Sequence, residues 1–277
     1  KLLLWTAGLF LLVVLLYIPT LRGGFVYDSI AQVLYSDYLH TPSNWVDVLT
    51  LRVVGQDELD RNRPLHLASL MLDAAIWKKD PFGYRLTSVL LHALNAALLF
   101  VLVATYFSRH EPPGRDERPA RPFIFERARG PHAPTVVFAA FGALVFALHP
   151  LVVEVVAEPS NREDLLVLLA LLVGLLAIVL PFRSRWGVVA LLVACSFLAV
   201  LAKESGVAVP FVFAVASWLF GKFRSLLPGL VGGLMASLVF LTASYVWRPE
   251  ASAILVQSPG SLAGDFWSSL AVQCRVW

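Results

Sequence analysis

Charge is scarce in this chain: Asp, Glu, Lys and Arg make up 15% of its 277 residues, where a soluble domain carries about a quarter. Cysteine is nearly missing as well, with two residues, Cys195 and Cys274. Neither belongs to a CxxC pair or lies beside a pair of histidines, which excludes a disulfide framework and a thiolate metal centre. No repeat of about 30 to 50 residues recurs and no low-complexity tract is present. No basic stripe is interleaved with aromatics, so the net charge of +3 reports membrane topology rather than a nucleic-acid partner.

Apolar residues are what the chain has instead. They reach 58%, with a mean hydropathy of +0.74, and they come in long unbroken runs. About 20 such residues in a helix cross the hydrocarbon layer. The runs Leu2–Ile18, Tyr84–Phe107, Thr135–Ala157, Leu165–Phe182, Trp186–Ala202, Gly206–Phe220 and Leu226–Trp247 therefore predict seven spans, with an eighth starting near Phe266. The fold class expected is an all-α, polytopic transmembrane bundle forming a single membrane-embedded domain over 1–277. The first run lacks a small-residue cleavage site after it and reads as a retained span. Trp277 falls inside a fresh apolar segment, so the sequence reads as part of a longer chain. His149-Pro150 interrupts the third run, where proline removes a backbone donor and favours a kink.

Short loops rich in Lys and Arg stay on the cytoplasmic side. Residues 108–134 hold Arg109, Arg115, Arg118, Arg121, Arg127 and Arg129; Arg183 with Arg185, and Lys222 with Arg224, lie in two later loops. These three loops alternate correctly to share the cytoplasmic face. Residues 19–83, the His149–Asp164 corner and the Lys203-Glu204 corner then face outward. Within 19–83, Ser29 to Leu39 can be helical, Ser43 can cap a short helix through Leu51, and Arg63-Pro64 starts a third. The apolar side chains of that third helix, Leu67, Leu70, Met71 and Ala74, share one face, as in a helix lying on a membrane surface. Asp80-Pro81 ends it.

Ionisable groups at membrane depth are costly unless paired or facing a wet cavity. Four groups stand out, all on the outward side: Asp28; the helix face Arg85, Ser88, His92 and Asn95; the corner His149, Glu154, Glu158, Arg162 and Asp164; and Lys203-Glu204. One outward cavity would satisfy them all. Structural roles compete: Asp28 as a helix cap, His92 and Asn95 as interhelical hydrogen-bond glue, Glu154 with Arg162 as an ion pair closing the corner, and Lys203 as an interfacial anchor.

The strings "FVYDS", "NRPLHLASLMLDAAIWKKDPFGYRLTSVLLHALNAALLF", "HPLVVEVVAEPSNREDLL" and "LAKESGVAVP" resemble, in order and spacing, the membrane part of the tetratricopeptide-linked O-mannosyltransferase-like proteins and their bacterial relatives, of the GT-C glycosyltransferase fold. The resemblance runs from about Gly24 to Pro210. It implies a bacterial cytoplasmic membrane with the site facing outward, a polyprenyl-phosphate sugar donor, an acceptor that is a protein, inversion at the anomeric carbon, and a tetratricopeptide domain after the last span. Asp28 matches the first acid of the family's paired-acid motif and is the implied catalytic base. Arg63 and Pro64 match its "RP"; His92 and Asn95 its "H..N"; His149, Pro150, Glu154, Arg162 and Asp164 its third loop; Lys203 and Glu204 its "KE". The chain departs from the pattern at Ser29, where a second Asp is usual, and at Arg85, Ser88, Val152 and Asn161.

Inverting transfer needs a carboxylate to take the acceptor's proton, and a phosphate leaving group needs Arg or Lys beside it. Asp28 suits the first; Arg162, Lys203 and Arg85 suit the second. Arg63, His92, Asn95, His149, Glu154, Glu158, Asp164 and Glu204 are candidate substrate-binding or structural groups. A divalent metal stays open, and no ligand spacing calls for one. The partners expected are membrane lipid, a lipid-linked sugar, and either a protein acceptor or a larger membrane complex. Two readings stand: a lipid-linked-sugar glycosyltransferase, and a non-catalytic descendant of that fold kept as a scaffold or accessory subunit. A transporter is less supported, since no inverted repeat or paired broken helices are visible.

Overall fold

The computed structural model describes residues 2–56, 58–110, 133–182 and 184–246, and all secondary structure among them is helical. Helix α1 (Leu2–Tyr17) leads through short turns to α2 (Asp37–His40), α3 (Trp45–Leu49) and α4 (Pro64–Trp77). Then follow α5 (Pro81–His110), α6 (Ala133–Ala147), α7 (Pro150–Ala157), α8 (Arg162–Val179), α9 (Arg185–Ala202), α10 (Val209–Leu219) and α11 (Phe223–Val246).

Four helical segments are long and apolar enough to cross a membrane: Leu2–Arg22, Pro81–Arg109, Arg185–Ala202 and Phe223–Val246. A fifth arises if Pro134–Ala147 and Pro150–Ala157, bent 60° to each other, count as one broken span. The expected seven is not reached by length and composition alone. Helix α8 has 18 residues but carries Arg162, Glu163 and Asp164 in its first turn, and the apolar stretch Glu204–Leu219 is short. The expected eighth span near Phe266, Arg183 and most of the basic loop after α5 lie outside the described residues.

The packing forms three apolar clusters. Helices α1, α5, α6 and α7 enclose Val13, Ala93, Ala96, Phe100, Ala139 and Ala143; alanines let helix backbones approach closely, as lipid-embedded helices require. Helices α8 to α11 enclose Ile178, Leu192, Ala199 and Phe213. Here a side chain on Gly174 would overlap the Phe213 ring, and one on Gly206 would meet the Ala199 carbonyl at 2.3 Å. The third cluster packs α4 and the small helices before it onto the ends of α5, α9 and α11 through Val33, Val53, Leu70, Met71, Tyr84, Val200 and Phe240. Leu67, Leu70, Met71 and Ala74, the face read from the spacing, are all buried. Large apolar side chains such as Leu3, Phe141, Trp218 and Val239 cover the outer surface instead, which suits lipid and not water.

The loop before α4 differs in detail from its expectation. Ser29–Leu39 is one π turn, Ile30–Leu34, followed by α2, whose N-terminus Ser36 caps by accepting from Leu39 N–H. Ser43 lies within a 3-10 turn that runs into α3, and Asn44 precedes α3 without a side-chain cap. A left-handed Leu51, φ 62°, ends the segment.

The bundle has two chemically distinct ends. At one, Arg109 donates to the Val179 carbonyl, Lys222 to the Ile178 carbonyl, and Arg185 Nε to the Ser225 carbonyl at 2.7 Å. Basic groups there complete the C-terminus of α8, where orphan carbonyls and the helix dipole both favour a cation. The acidic residues among those described gather at the other end.

Candidate functional site

Sequence-distant acids converge at that second end. A cavity of about 430 Å³ is lined by Tyr27, Asp28, Arg85, Glu154, Glu158 and Asn161, among others. Asp28 follows the strained Tyr27 (φ 46°). Its position is fixed by the next residue: Ser29 is fully buried, its Oγ donates to the Val26 carbonyl at 2.7 Å, and its N–H donates to Glu158 Oε1 at 3.1 Å. Ser160 Oγ donates to the same oxygen at 3.0 Å. Ser29 is therefore part of the scaffold, and an acid at that position would stand against the Glu158 carboxylate. Arg85 lies against Gly23, where any side chain would collide with the guanidinium; it donates to the Thr20 carbonyl at 3.2 Å and to that of Gly24.

Beside the cavity lies an ion network. Arg63 binds Asp60 at 3.0 Å, Glu163 at 2.8 Å and Glu204 at 3.0 Å. Lys203 binds Asp164 at 2.7 Å and Glu163 at 3.2 Å. Burial pushes the Glu163 carboxyl above its ordinary range, with Arg63 and Lys203 pulling back. Burial likewise raises Asp60; Arg63 opposes this, and the Glu204 and Asp28 charges add to it, so Asp28 borders both cavity and network. Burial works against the Lys203 ammonium, but Asp164 and Glu163 outweigh it and hold the lysine above its usual value.

Arg162 sits elsewhere. It is fully buried, paired with Asp73 at 2.6 Å, and donates to the carbonyls of Tyr84 at 2.7 Å and Ser69 at 3.1 Å and to Ser88 Oγ at 3.3 Å. Thr87 Oγ1 holds the other Asp73 oxygen at 2.7 Å. The ion pair expected between Glu154 and Arg162 is replaced by this one, because α4 delivers Asp73 to the guanidinium while Glu154 on α7 stays at the exposed cavity wall. The single pocket expected to gather Asp28, Glu154, Arg162 and Lys203 thus resolves into three places: cavity, network and buried pair.

The remaining candidates brace the bundle. The helix break at Pro150 frees the Ala147 carbonyl, and Tyr17 OH at 2.6 Å and His92 Nε2 at 3.1 Å both reach it. His149 Nδ1 accepts from Leu151 N–H at 3.3 Å and caps α7. Asn95 Nδ2 donates to the Leu165 carbonyl at 2.9 Å. Sequence reasoning missed Asp73, Glu163, Asp60 and His66. Asp73 and His66 sit on the buried side of α4, seven residues apart, one helical face, which was the available signal. His66 is fully buried with both ring nitrogens unpartnered. Among the described residues, no group of three or more His, Cys, Asp and Glu could hold a metal ion.

No family model matches the chain, and no solved structure does. The chain is similar to a protein O-mannosyl-transferase. It is 28% identical over 207 residues to Protein O-mannosyl-transferase Tmtc1 of Drosophila melanogaster, an alignment covering 73% of this chain and 21% of that protein. The similarity supports a mannosyltransferase-like relationship and an integral membrane location. The chain spans about a fifth of that relative's length.

Proposed function

We propose that this chain is the membrane core of a glycosyltransferase that moves a sugar from a polyprenyl-phosphate donor to a hydroxyl on an extracytoplasmic acceptor, a protein in the first instance. The observation that carries this reading is the placement of Asp28 in a cavity with Arg85, Glu154 and Glu158, at the end of the bundle away from Arg109 and Lys222. In the proposed step Asp28 takes the acceptor proton as the acceptor oxygen bonds to the anomeric carbon from the face opposite the phosphate. The carbon–phosphate oxygen bond breaks, and the lipid phosphate departs with its charge facing Arg85. In this reading α8 and Glu204–Leu219 cross with the other five segments, giving seven crossings; both run between the same two ends of the bundle as their neighbours. A bacterial inner membrane, with this end outward, is part of the proposal.

Asp28→Asn preserves shape and hydrogen bonding and removes the base. Transfer from polyprenyl-phosphate mannose to a serine-rich peptide by the full chain in nanodiscs should fall at least about 10²-fold, with the thermal midpoint unchanged because Asp28 is exposed. Equal rates in the two proteins would remove Asp28 from the chemistry.

A second reading, a non-catalytic scaffold of this fold, draws on one specific fact. Two of the three cations expected at the phosphate are already engaged: Arg162 by Asp73, Lys203 by Asp164 and Glu163. In that case the wild-type chain transfers no sugar from any polyprenyl-phosphate donor and Asp28→Asn changes nothing.

A further inference from the structure

Asp28 stands on a turn held in a conformation its own residues disfavour. Tyr27, just before it, is left-handed with φ 46°, which the Cβ of a bulky residue makes costly. Such strain persists only where surrounding contacts over-determine it. Ser29 makes the bonds that close the turn. Its Oγ donates to the Val26 carbonyl at 2.7 Å and accepts from Val26 N–H at 3.2 Å. Its own N–H is shared between that carbonyl at 3.2 Å and Glu158 Oε1 at 3.1 Å. The first bonds are internal to the turn; the Glu158 bond ties it to the end of α7, 129 residues on. The tether is itself fixed. Glu158 N–H donates to the Glu154 carbonyl at 3.1 Å, the Glu158 carbonyl accepts from Asn161 N–H at 3.0 Å, and Ser160 Oγ donates to Oε1 at 3.0 Å. Ser29 is fully buried and Glu158 is 6% exposed, so water does not compete for the bond. The Glu158 carboxylate thus faces the backbone of the turn, while Asp28 and Glu154 are the exposed acids of the cavity.

We infer that Glu158 is a positioning residue for Asp28. Its carboxylate oxygen holds Ser29 N–H, and through that bond it keeps the strained turn from relaxing and carrying the Asp28 carboxylate away from the reacting atoms. The tether needs an acceptor oxygen at the reach of a glutamate side chain; it does not need the charge. The inference rests on the glycosyltransfer reading. In that reading a base displaced by about 1 Å costs on the order of 10²-fold in rate, while both substrates bind as before.

Three substitutions separate reach from charge. Glu158→Gln keeps an acceptor oxygen at the same length, Glu158→Asp keeps the charge but falls one carbon short, and Glu158→Ala removes both. The full chain in nanodiscs is assayed for transfer from polyprenyl-phosphate mannose to a serine-rich peptide, and for amide hydrogen exchange over residues 25–30. Glu158→Asp and Glu158→Ala should lower kcat by about 10²-fold with both KM values within about twofold of wild type, and Glu158→Gln should restore kcat to within about threefold. Exchange should lose protection in the Asp and Ala variants and keep it in the Gln variant. Should Glu158→Ala misfold, the Asp and Gln variants carry the test. Three results would overturn the tether: Glu158→Gln as slow as Glu158→Ala, which puts the charge in the chemistry; a raised peptide KM at unchanged kcat, which puts Glu158 against the substrate; and full activity in all three variants. Wild-type protein that transfers nothing removes the glycosyltransfer reading alone, and the exchange then decides. Protection lost in the Asp and Ala variants and kept in the Gln variant supports the tether; equal protection in all four proteins overturns it.

Discussion

At the scale of single residues, the acidic end of the bundle is governed by which charges have partners. His66 has none: it is buried next to Arg162, Arg63 and Lys203, and desolvation, followed by those cations, pushes its imidazole down to about 3. In the unfolded chain it titrates near 6.5. The folded state refuses the proton that the unfolded state accepts, so this contribution to stability is whole above pH 6.5 and declines as pH falls, by up to about 1.4 kcal/mol per unit, until pH approaches 3. Replacing His66 by Leu, similar in volume and unable to ionise, should flatten the fall of the thermal midpoint between pH 6.5 and 4 relative to wild type. Parallel curves for the two proteins would mean that His66 is not protonated on unfolding in that range. His66 was invisible as a site in the sequence because it occurs inside an apolar helical pattern, "PLHLASLML", where burial is a property of the tertiary contact. The same limit hid Asp73: only the fold brings α4 against the first residue of α8. Asp28 and Glu158 were legible individually, from their expense at a membrane re-entry, but not Glu158's bond to Ser29, 129 positions away.

Among elements, the break between α6 and α7 does the positioning. Proline at 150 has no N–H to continue the ladder and its ring crowds the preceding turn; the result is the 60° bend that turns α7 across the end of the bundle and brings Glu154 and Glu158 to the cavity. The carbonyl released at Ala147 is satisfied from two other helices, by Tyr17 and His92. That bend was readable from His149-Pro150 alone, and the face of α4 from its spacing, since both follow from local geometry. The two carbonyl partners were not, since Tyr17 lies 130 residues away. Pro150→Ala should allow the helix to run straighter. Spin labels at Phe141 and Leu151, both on exposed positions, report it: their mean separation should lengthen in the variant, and Tyr17→Phe with His92→Phe should lengthen it further by freeing the carbonyl to rejoin the ladder. An unchanged distance would place the cause of the bend in the packing of α7 against α5 and α8 instead of in the proline.

For the molecule as a whole, chain direction and charge agree on one orientation. Arg109, Lys222 and Arg185 close one end through backbone carbonyls of α8 and of the first turn of α11. Asp28, Glu158, Glu163, Asp164 and Glu204 occupy the other. In the proposed orientation, retention of Lys and Arg in short cytoplasmic loops puts the first end in the cytoplasm. Helices α5, α8 and α9 link the ends unambiguously: α5 begins beside Gly24 and finishes at Val179, α8 runs from Tyr84 to Lys222, and α9 from Ser225 to the Asp164 contact of Lys203. For α8 this matters most, since its three charged residues at the start disqualify it by composition while Asp73, Arg63 and Lys203 neutralise them in place. A charged first turn is compatible with a crossing when it sits at the interface and its partners come from other segments. In a background lacking cysteine, a membrane-impermeant thiol reagent applied to intact cells should label Tyr27→Cys, 86% exposed, and spare Trp186→Cys, 66% exposed at the opposite end, until the membrane is permeabilised. Labelling of both in intact cells would mean that α8 does not cross, and labelling of Trp186→Cys alone would invert the protein and put the acidic cavity on the cytoplasmic side.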